Sequence, residues 1–242
     1  MVKYEIFRKT SLSIIVPCYN EERTIEACLR RLIDIQDDKL SIEIIVVDDK
    51  SSDRTLDIIK KISIEYPEII ILKHDKNNGK GAAIRTGLVK ASAEVVAIQD
   101  ADLEYNPLEL RRLINPIIMG DADAVYGSRF ITLGERRVLF FWHTMGNKFL
   151  TFLSNMFTNL NLSDMETCYK LIKRDVFEKI NIEENRFGFE PEITAKLAHM
   201  RARIYEMGIS YHARTYEEGK KINWKDGLWT LYCVFKYNLI NR

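Results

Sequence analysis

Residues 95–107 read VVAIQDADLEYNP. A short apolar run, Val95-Val96-Ala97-Ile98, delivers the chain to two aspartates one alanine apart, Asp100 and Asp102. Glu104 follows two residues on, and Asn106-Pro107 has the form of a helix start. An apolar run of this kind reads as a strand covered on both faces, as in a parallel sheet buried between helices. One Asp is enough for an Asx-turn before a helix. Two close carboxylates repel, and keeping both ionised calls for a cation or strong hydrogen bonding. The stretch therefore predicts an α/β protein with a candidate site at a strand end.

The same alternation extends through the first half. Leu12–Val16, Ile42–Val47, Ile69–Leu72 and Ala124–Tyr126 are further predicted strands. Between them, Ile25, Leu29, Leu32 and Ile33 share one helical face, with Asn20 as the expected cap and Glu21 and Glu22 in the first turn. Leu56, Ile59 and Ile62 repeat the pattern after Ser52-Asp53, and Asn106 is expected to cap a helix opened by Pro107. Strand–helix repetition implies a mainly parallel central sheet with helices on both faces. Beyond residue 128 the spacing predicts a long aromatic helix within 138–160, a loop and short strand within 163–177, and a helix over 188–200. The reading is one domain over 1–242, with no linker.

In an open parallel sheet, ligands bind beyond the carboxyl ends of the strands. Three predicted strands end in polar clusters: Pro17-Cys18-Tyr19-Asn20-Glu21, Asp48-Asp49 and Asp100-Ala101-Asp102. A hard divalent ion, Mg²⁺ or Mn²⁺, would reconcile the last pair and leave positions for substrate phosphates. Asp48-Asp49 is either a polar turn or a carboxylate recognising a nucleoside. Asn77-Asn78-Gly79-Lys80-Gly81 fails the P-loop pattern, since no Ser or Thr follows Lys80. Its glycines still permit close backbone approach to a ligand. Lys80 and Arg85 either meet phosphate or are solvated.

Composition narrows the class. The 242 residues carry a net charge of +1, which argues against nucleic acid as a partner. Four scattered cysteines form no C-x-x-C pair, which suits reduced thiols in the cytoplasm. No signal-peptide core opens the chain and no run approaches about 18 apolar residues, so membrane contact is expected to be peripheral.

The ordered series PCYNE (17–21), VVDDKSSD (46–53), NNGKGAAIRTG (77–87) and QDADLE (99–104) resembles the family 2 glycosyltransferases. Within that family it is similar to the dolichol-phosphate mannosyltransferase-like branch. YGSRF (126–130), DMETCYK (164–170), GFEPEITAKL (188–197) and YEEGKKINWKDG (216–227) extend the likeness. The resemblance implies a GT-A fold and an inverting transfer of a hexose from a GDP- or UDP-sugar to a polyprenyl or dolichyl phosphate. It divides the chain into a nucleotide-sugar half (11–130), an acceptor half (131–215) and an amphipathic tail (216–242). Residue by residue, it implies donor contacts from Pro17, Tyr19, Glu21, Val47, Asp49, Asp100, Ala101 and Asp102. It gives metal ligation to Asp100, Asp102 and Glu104, and acceptor-phosphate contacts to Arg129, His143 and Lys220. It implies that Asp102 and Arg129 carry catalysis. Arg136 and Arg137 lie close to His143, and Arg214 and Lys221 could stand in for an arginine of the family that this chain lacks.

A lipid phosphate is already anionic at neutral pH, with a second pKa near ~6, and needs no protein base. A sugar hydroxyl would need one, and Asp164 or Glu166 is then the expected carboxylate. Their plain alternative is pairing with Lys170 or capping a strand. The aromatic residues of 138–160, flanked by Arg136 and Arg137 and interrupted by Lys148, suit a helix at the inner face of the cell membrane. Trp224, Trp229, Tyr232, Phe235 and Tyr237 form a second such segment. Core packing or a homodimer contact is the alternative for both. A phospho-receiver module is the non-enzymatic alternative, but it leaves PCYNE and the second half unused.

Overall fold

The computed structural model describes residues 6, 8–131, 138, 140–213 and 224–240. The first half repeats strand and helix as predicted: β1 (Thr10–Cys18), α1 (Ile25–Ile33), β2 (Leu40–Asp48), α2 (Thr55–Glu65), β3 (Ile69–Lys73), α3 (Lys80–Leu88) and β4 (Val95–Ile98). A 3₁₀ turn (Pro107–Glu109) then leads into α4 (Leu110–Leu113), α5 (Asn115–Ile118) and β5 (Ala124–Ser128). The second half contains α6 (Phe141–Thr158), β6 (Lys170–Lys173), α7 (Arg174–Phe177), α8 (Phe189–His199), β7 (Ile204–Gly208) and α9 (Trp224–Phe235), which continues into a π-helical turn (Lys236–Ile240).

The sheet runs β3-β2-β1-β4-β6-β5-β7. Its pairings are parallel except those of β6, which lies antiparallel to both β4 and β5. The central strands read as they do because both faces are covered. Ile14, Ile15, Val16, Ile44, Ile45, Val46, Val95, Val96 and Ala97 are all sealed from solvent, and continuous β-branched runs fill that environment well. β2, β1 and β4 are direct neighbours, so the three polar clusters come out along one edge. The ladder continues into them: Gln99 N donates to Ile15 O at 3.0 Å and Asp49 N to Cys18 O at 2.8 Å.

Two expectations about helix starts have different outcomes. Asn106 does cap the turn at Pro107, its side chain accepting from Leu108 N at 3.2 Å. Asn20 does not cap α1, which begins five residues later behind Thr24. Asn20 instead takes a left-handed backbone (φ 51°), and its Oδ1 accepts from Ser52 N at 2.8 Å. A side chain committed to joining the β1 and β2 loops has no lone pair directed at the helix N–H groups. β7 had no counterpart among the predicted strands. It is a short, half-covered edge strand, and its alternation is too brief to stand out.

Candidate active site

The loops after β1 and β2 hold one another. Asn20 N donates to Ser51 Oγ (3.0 Å), Glu21 N to Thr55 Oγ1 (2.8 Å) and Glu22 N to Asp53 Oδ2 (3.2 Å). Pro17 and Glu21 are half-buried on this edge and Tyr19 is exposed. Val47 and Ala101 are sealed in the core, so any donor contact from Val47 would come through its backbone. Asp49 is also buried. Its Oδ1 accepts from Asn78 N (2.8 Å) and bonds His74 Nδ1 (2.7 Å), while its Oδ2 accepts from Gly79 N (2.7 Å). Its carboxylate thus shapes the loop before α3. Asp48 accepts from Ser51 N, but its buried Oδ2 has no hydrogen-bond partner among the described residues.

The glycines of NNGKG serve an internal approach, which corrects the ligand-approach reading. A Cβ on Gly79 would lie 2.4 Å from Asn185 O, and one on Gly81 would lie 2.2 Å from Glu184 O. Gly79 also adopts φ 96°, open to few other residues. The segment 182–186 therefore lies as a strap across the start of α3. Arg85, half-buried, holds it, donating to Ile182 O (2.9 Å) and Asn185 Oδ1 (2.8 Å). Lys80 is not solvated: its Nζ lies 3.0 Å from Asp100 Oδ1 and 3.1 Å from Glu190 Oε1. Burial works against its charge, but Asp100 and Glu190 help hold its pKa well above the ordinary lysine value.

Asp100 and Asp102 project from the turn after β4, and both carboxylates lie within electrostatic reach of the buried Cys28 thiol. Asp102 Oδ1 accepts from Glu104 N at 3.2 Å, forming the Asx-turn anticipated for a single Asp. The third expected ligand does not join them. Glu104 Oε2 accepts from Tyr211 OH at 2.6 Å, and His212 N donates to Glu104 O at 2.9 Å. Tyr211 follows β7, and a short phenol–carboxylate bond directs Glu104 toward it. Among the described residues no group of three acidic, His or Cys side chains gathers to hold an ion. The chain offers two carboxylates, an all-oxygen set suited to a hard divalent ion whose shell is completed by phosphates and water. The Lys80 ammonium against Asp100 is a stand-in cation, and the fit to Mg²⁺ or Mn²⁺ rests on it.

On the other side of β4, Arg129 at the end of β5 forms a buried two-pronged pair with Asp164. Its Nε donates to Oδ2 and its Nη2 to Oδ1, both at 2.7 Å, and its backbone N reaches Oδ2 at 3.0 Å. Tyr211 lies beneath the guanidinium, 5.2 Å from ring centre to Cζ. Burial alone would raise the Asp164 pKa, but Arg129 outweighs it and holds the acid below its usual range. Asp164 is therefore neither a base nor the partner of Lys170, whose ammonium donates instead to Met165 O and Thr167 O. Asn147 Nδ2 also donates to Asp164 (3.1 Å), and Thr151 Oγ1 donates to Asn147 Oδ1 (3.2 Å). His143 stands one turn before Asn147 on the same face of α6.

Glu166 differs from its neighbour Asp164. Its Oε1 is shut off from solvent with no hydrogen-bond partner among the described residues, and burial, reinforced by Glu190, pushes its pKa up to about 8. Glu206 of β7 receives Ser163 N (2.9 Å) and Asp164 N (3.0 Å), fixing the turn that presents both acids. Glu190, Glu206 and Tyr211 were not among the expected site residues. Only tertiary contact links them to the site. Lys220, Lys221, Arg136, Arg137 and Arg214 lie outside the described residues.

The aromatic face of α6 is turned outward. Asn147, Thr151 and Ser154 are buried, while Phe141, Trp142, Phe149, Phe152 and Met156 are more than half exposed. α9 lies against it, Phe157 meeting Phe235 at 5.3 Å, and exposes Leu228, Trp229 and Tyr232 beside it. Packing in this chain's own core is excluded for these exposed groups. Among the described residues no helix is long and apolar enough to cross a membrane.

A parallel sheet carrying an acidic pair past its central strand, joined to a part that reverses one strand, is the GT-A fold. Among solved structures, glucosyl-3-phosphoglycerate synthase from Mycobacterium tuberculosis, in complex with Mn²⁺, uridine diphosphate and glucosyl-3-phosphoglycerate, superposes with a TM-score of 0.73. It is 18% identical, and the match covers 95% of this chain and 80% of that one. The sequence matches Glycosyl transferase family 2 over residues 13–181, and the chain belongs to that family. This removes the phospho-receiver alternative.

Similar curated proteins include the dolichol-phosphate mannosyltransferase of Pyrococcus furiosus, 28% identical over 86% of this chain and 58% of its own length. The undecaprenyl-phosphate mannosyltransferase of Micrococcus luteus is 29% identical over 85% of both chains. A low-salt glycan biosynthesis hexosyltransferase of Haloferax volcanii is 30% identical over 84% of this chain and 48% of its own length. The chain thus spans about half to three fifths of two of these relatives and most of the third.

Proposed function

We propose that this protein transfers a hexose, with inversion, from a GDP- or UDP-sugar to a polyprenyl phosphate at the cytoplasmic face of a membrane, in dependence on Mg²⁺ or Mn²⁺. Family membership supports the reaction class, and the relatives' names support the acceptor class. The observation that carries the acceptor assignment is the two-sidedness of α6. One face holds the Arg129–Asp164 pair through Asn147, and the other presents exposed aromatic side chains. A lipid phosphate has that form, a charged head beside a long apolar chain, and exposed aromatics suit a helix lying in the interface.

In this reading residues 11–130 hold the donor and 131–215 the acceptor. Asp100 and Asp102 would hold the divalent ion. When bound, that ion supplies charge neutralisation for the leaving nucleoside diphosphate. Gln99 Nε2 donates to Asp100 O at 2.8 Å and Asp102 Oδ1 accepts from Glu104 N at 3.2 Å, so the turn holds its own shape and orients the two carboxylates. Arg129, its plane fixed by Asp164, and His143 supply the positive field for the acceptor phosphate, with Lys220 as a third cation. No proton need be removed, because the phosphate is already anionic.

A hydroxyl acceptor is the second reading, favoured by one observation: Glu166 Oε1 has no hydrogen-bond partner among the described residues, and burial raises the pKa of this carboxyl toward neutrality, where a general base works best. Incubation of the purified protein with labelled GDP- and UDP-sugars, polyprenyl-phosphate vesicles and free sugar acceptors separates the two. Label is expected in the lipid fraction. Asp102→Asn is expected to lose transfer by more than a hundredfold with an unchanged melting temperature. Full activity in that variant or in EDTA would refute the metal-binding role, and transfer to hydroxyl acceptors alone would refute the lipid acceptor.

A further inference from the structure

Lys80 is the first residue of α3, where the helix dipole disfavours a cation, and it is only 15% exposed in its side chain. A lysine so placed costs stability unless carboxylates compensate, and here two do. Its Nζ stands between Asp100 Oδ1 at 3.0 Å and Glu190 Oε1 at 3.1 Å. The second oxygen of Glu190, Oε2, is buried and accepts no hydrogen bond among the described residues. An ammonium has three N–H donors and rotates freely. Glu190 therefore holds acceptor capacity in reserve, within reach of a small movement of the lysine's last torsions.

We propose that Lys80 is a resident counter-cation that competes with the divalent ion for Asp100, and that it gives up Asp100 only when the ion arrives with a nucleoside diphosphate. This rests on the metal-dependent reading above. Alone, an incoming ion meets a site already part-neutralised by the ammonium and is repelled by it. The two negative charges of the diphosphate reverse that balance, and the ammonium is then retained by Glu190 through both of its oxygens. Ion and donor consequently bind as a pair. Glu190 acts as a positioning residue, touching neither donor nor ion.

The test is Mn²⁺ binding followed by the electron-spin-resonance signal of the free ion, with and without saturating GDP or UDP, in the full chain. Wild type is expected to bind Mn²⁺ at least tenfold more tightly with its nucleotide than without it. In Lys80→Met, Mn²⁺ alone should bind at least tenfold more tightly than in wild type, and most of the nucleotide's benefit should vanish. Lys80→Arg should behave as wild type. Glu190→Gln, which leaves Lys80 on Asp100, should weaken Mn²⁺ binding in the presence of nucleotide and keeps the proposal testable should Lys80→Met fail to fold. Mn²⁺ binding to folded Lys80→Met no tighter than to wild type overturns the competition while leaving metal dependence intact. No Mn²⁺ binding to any form, together with sugar transfer that survives EDTA, overturns both the competition and metal dependence.

Discussion

Asp164 has no exposed surface, and its charge is tolerated because Arg129 and Asn147 satisfy both of its oxygens. Removing one partner of a buried pair leaves the other uncompensated, which typically costs about 3–5 kcal/mol. Asp164→Ala is therefore expected to lower stability by about that much in urea unfolding, well beyond the effect of an exposed change. Glu166 has the opposite character. Burial, reinforced by the Glu190 charge, pushes its pKa up from the ordinary 4.5 to about 8, so between those values the native state binds more protons than the unfolded chain. Its contribution is fully present below about pH 4.5 and is lost as pH rises through about 8. Glu166→Gln should melt close to wild type at pH 5 and increasingly above it toward pH 9. A constant difference across that range would show that Glu166 does not titrate in this way.

At the level of elements, α6 and α9 are the unusual ones: both turn aromatic side chains outward, and α6 buries polar ones. α6 spends its polar stripe on the next segment: Asn147 bonds the Asp164 carboxylate and Thr151 accepts from Met165 N. Its apolar residues are left on the opposite face. Phe149→Asp with Phe152→Asp should abolish partition onto anionic vesicles while shifting the melting temperature little, since both side chains are exposed. Unchanged partition would remove α6 from the membrane contact. Glu184 anchors α9 and the turn after it, accepting from Trp229 Nε1 (2.9 Å), Lys236 Nζ (2.9 Å) and Tyr237 OH (2.8 Å). Hydrogen bonds to a charged group contribute about 1.5–3 kcal/mol each, so Glu184→Ala should loosen α9 first. Red-shifted, more quenchable tryptophan fluorescence, preceding the main melting transition, is the expected signature. The same Glu184 belongs to the strap over Gly81, so α9 and the start of α3 share one support.

For the whole molecule, a ligand that binds the native state raises stability by mass action, about 2.7 kcal/mol at a concentration of 100 Kd. For a chain of this size that corresponds to a rise of about 5–10 °C. The correct nucleoside diphosphate with Mn²⁺ should produce such a rise, and EDTA should remove most of it. An equal rise in EDTA would show that the diphosphate is held without an ion.

The parts that could be read from the chain were those with a local cause. Side-chain alternation in strands and the 3.6-residue repeat in helices follow from backbone geometry, so Val95–Ile98, the α1 face and the Asn106-Pro107 start could be read directly. The neighbouring acidic turns of β1, β2 and β4 followed from parallel topology. The partner of Lys80, the turn of Glu104 toward Tyr211, the Arg129–Asp164 pair and the strap over Gly79 and Gly81 had no local cause. Each is a contact between segments far apart in sequence, where a charged or glycine residue has several plausible partners and only the packed chain selects one. The chain by itself determined the α/β order and the position of Asp100 and Asp102. The tertiary structure decided which cation faces them, because electrostatic pairing depends on distance in space and not on separation along the sequence.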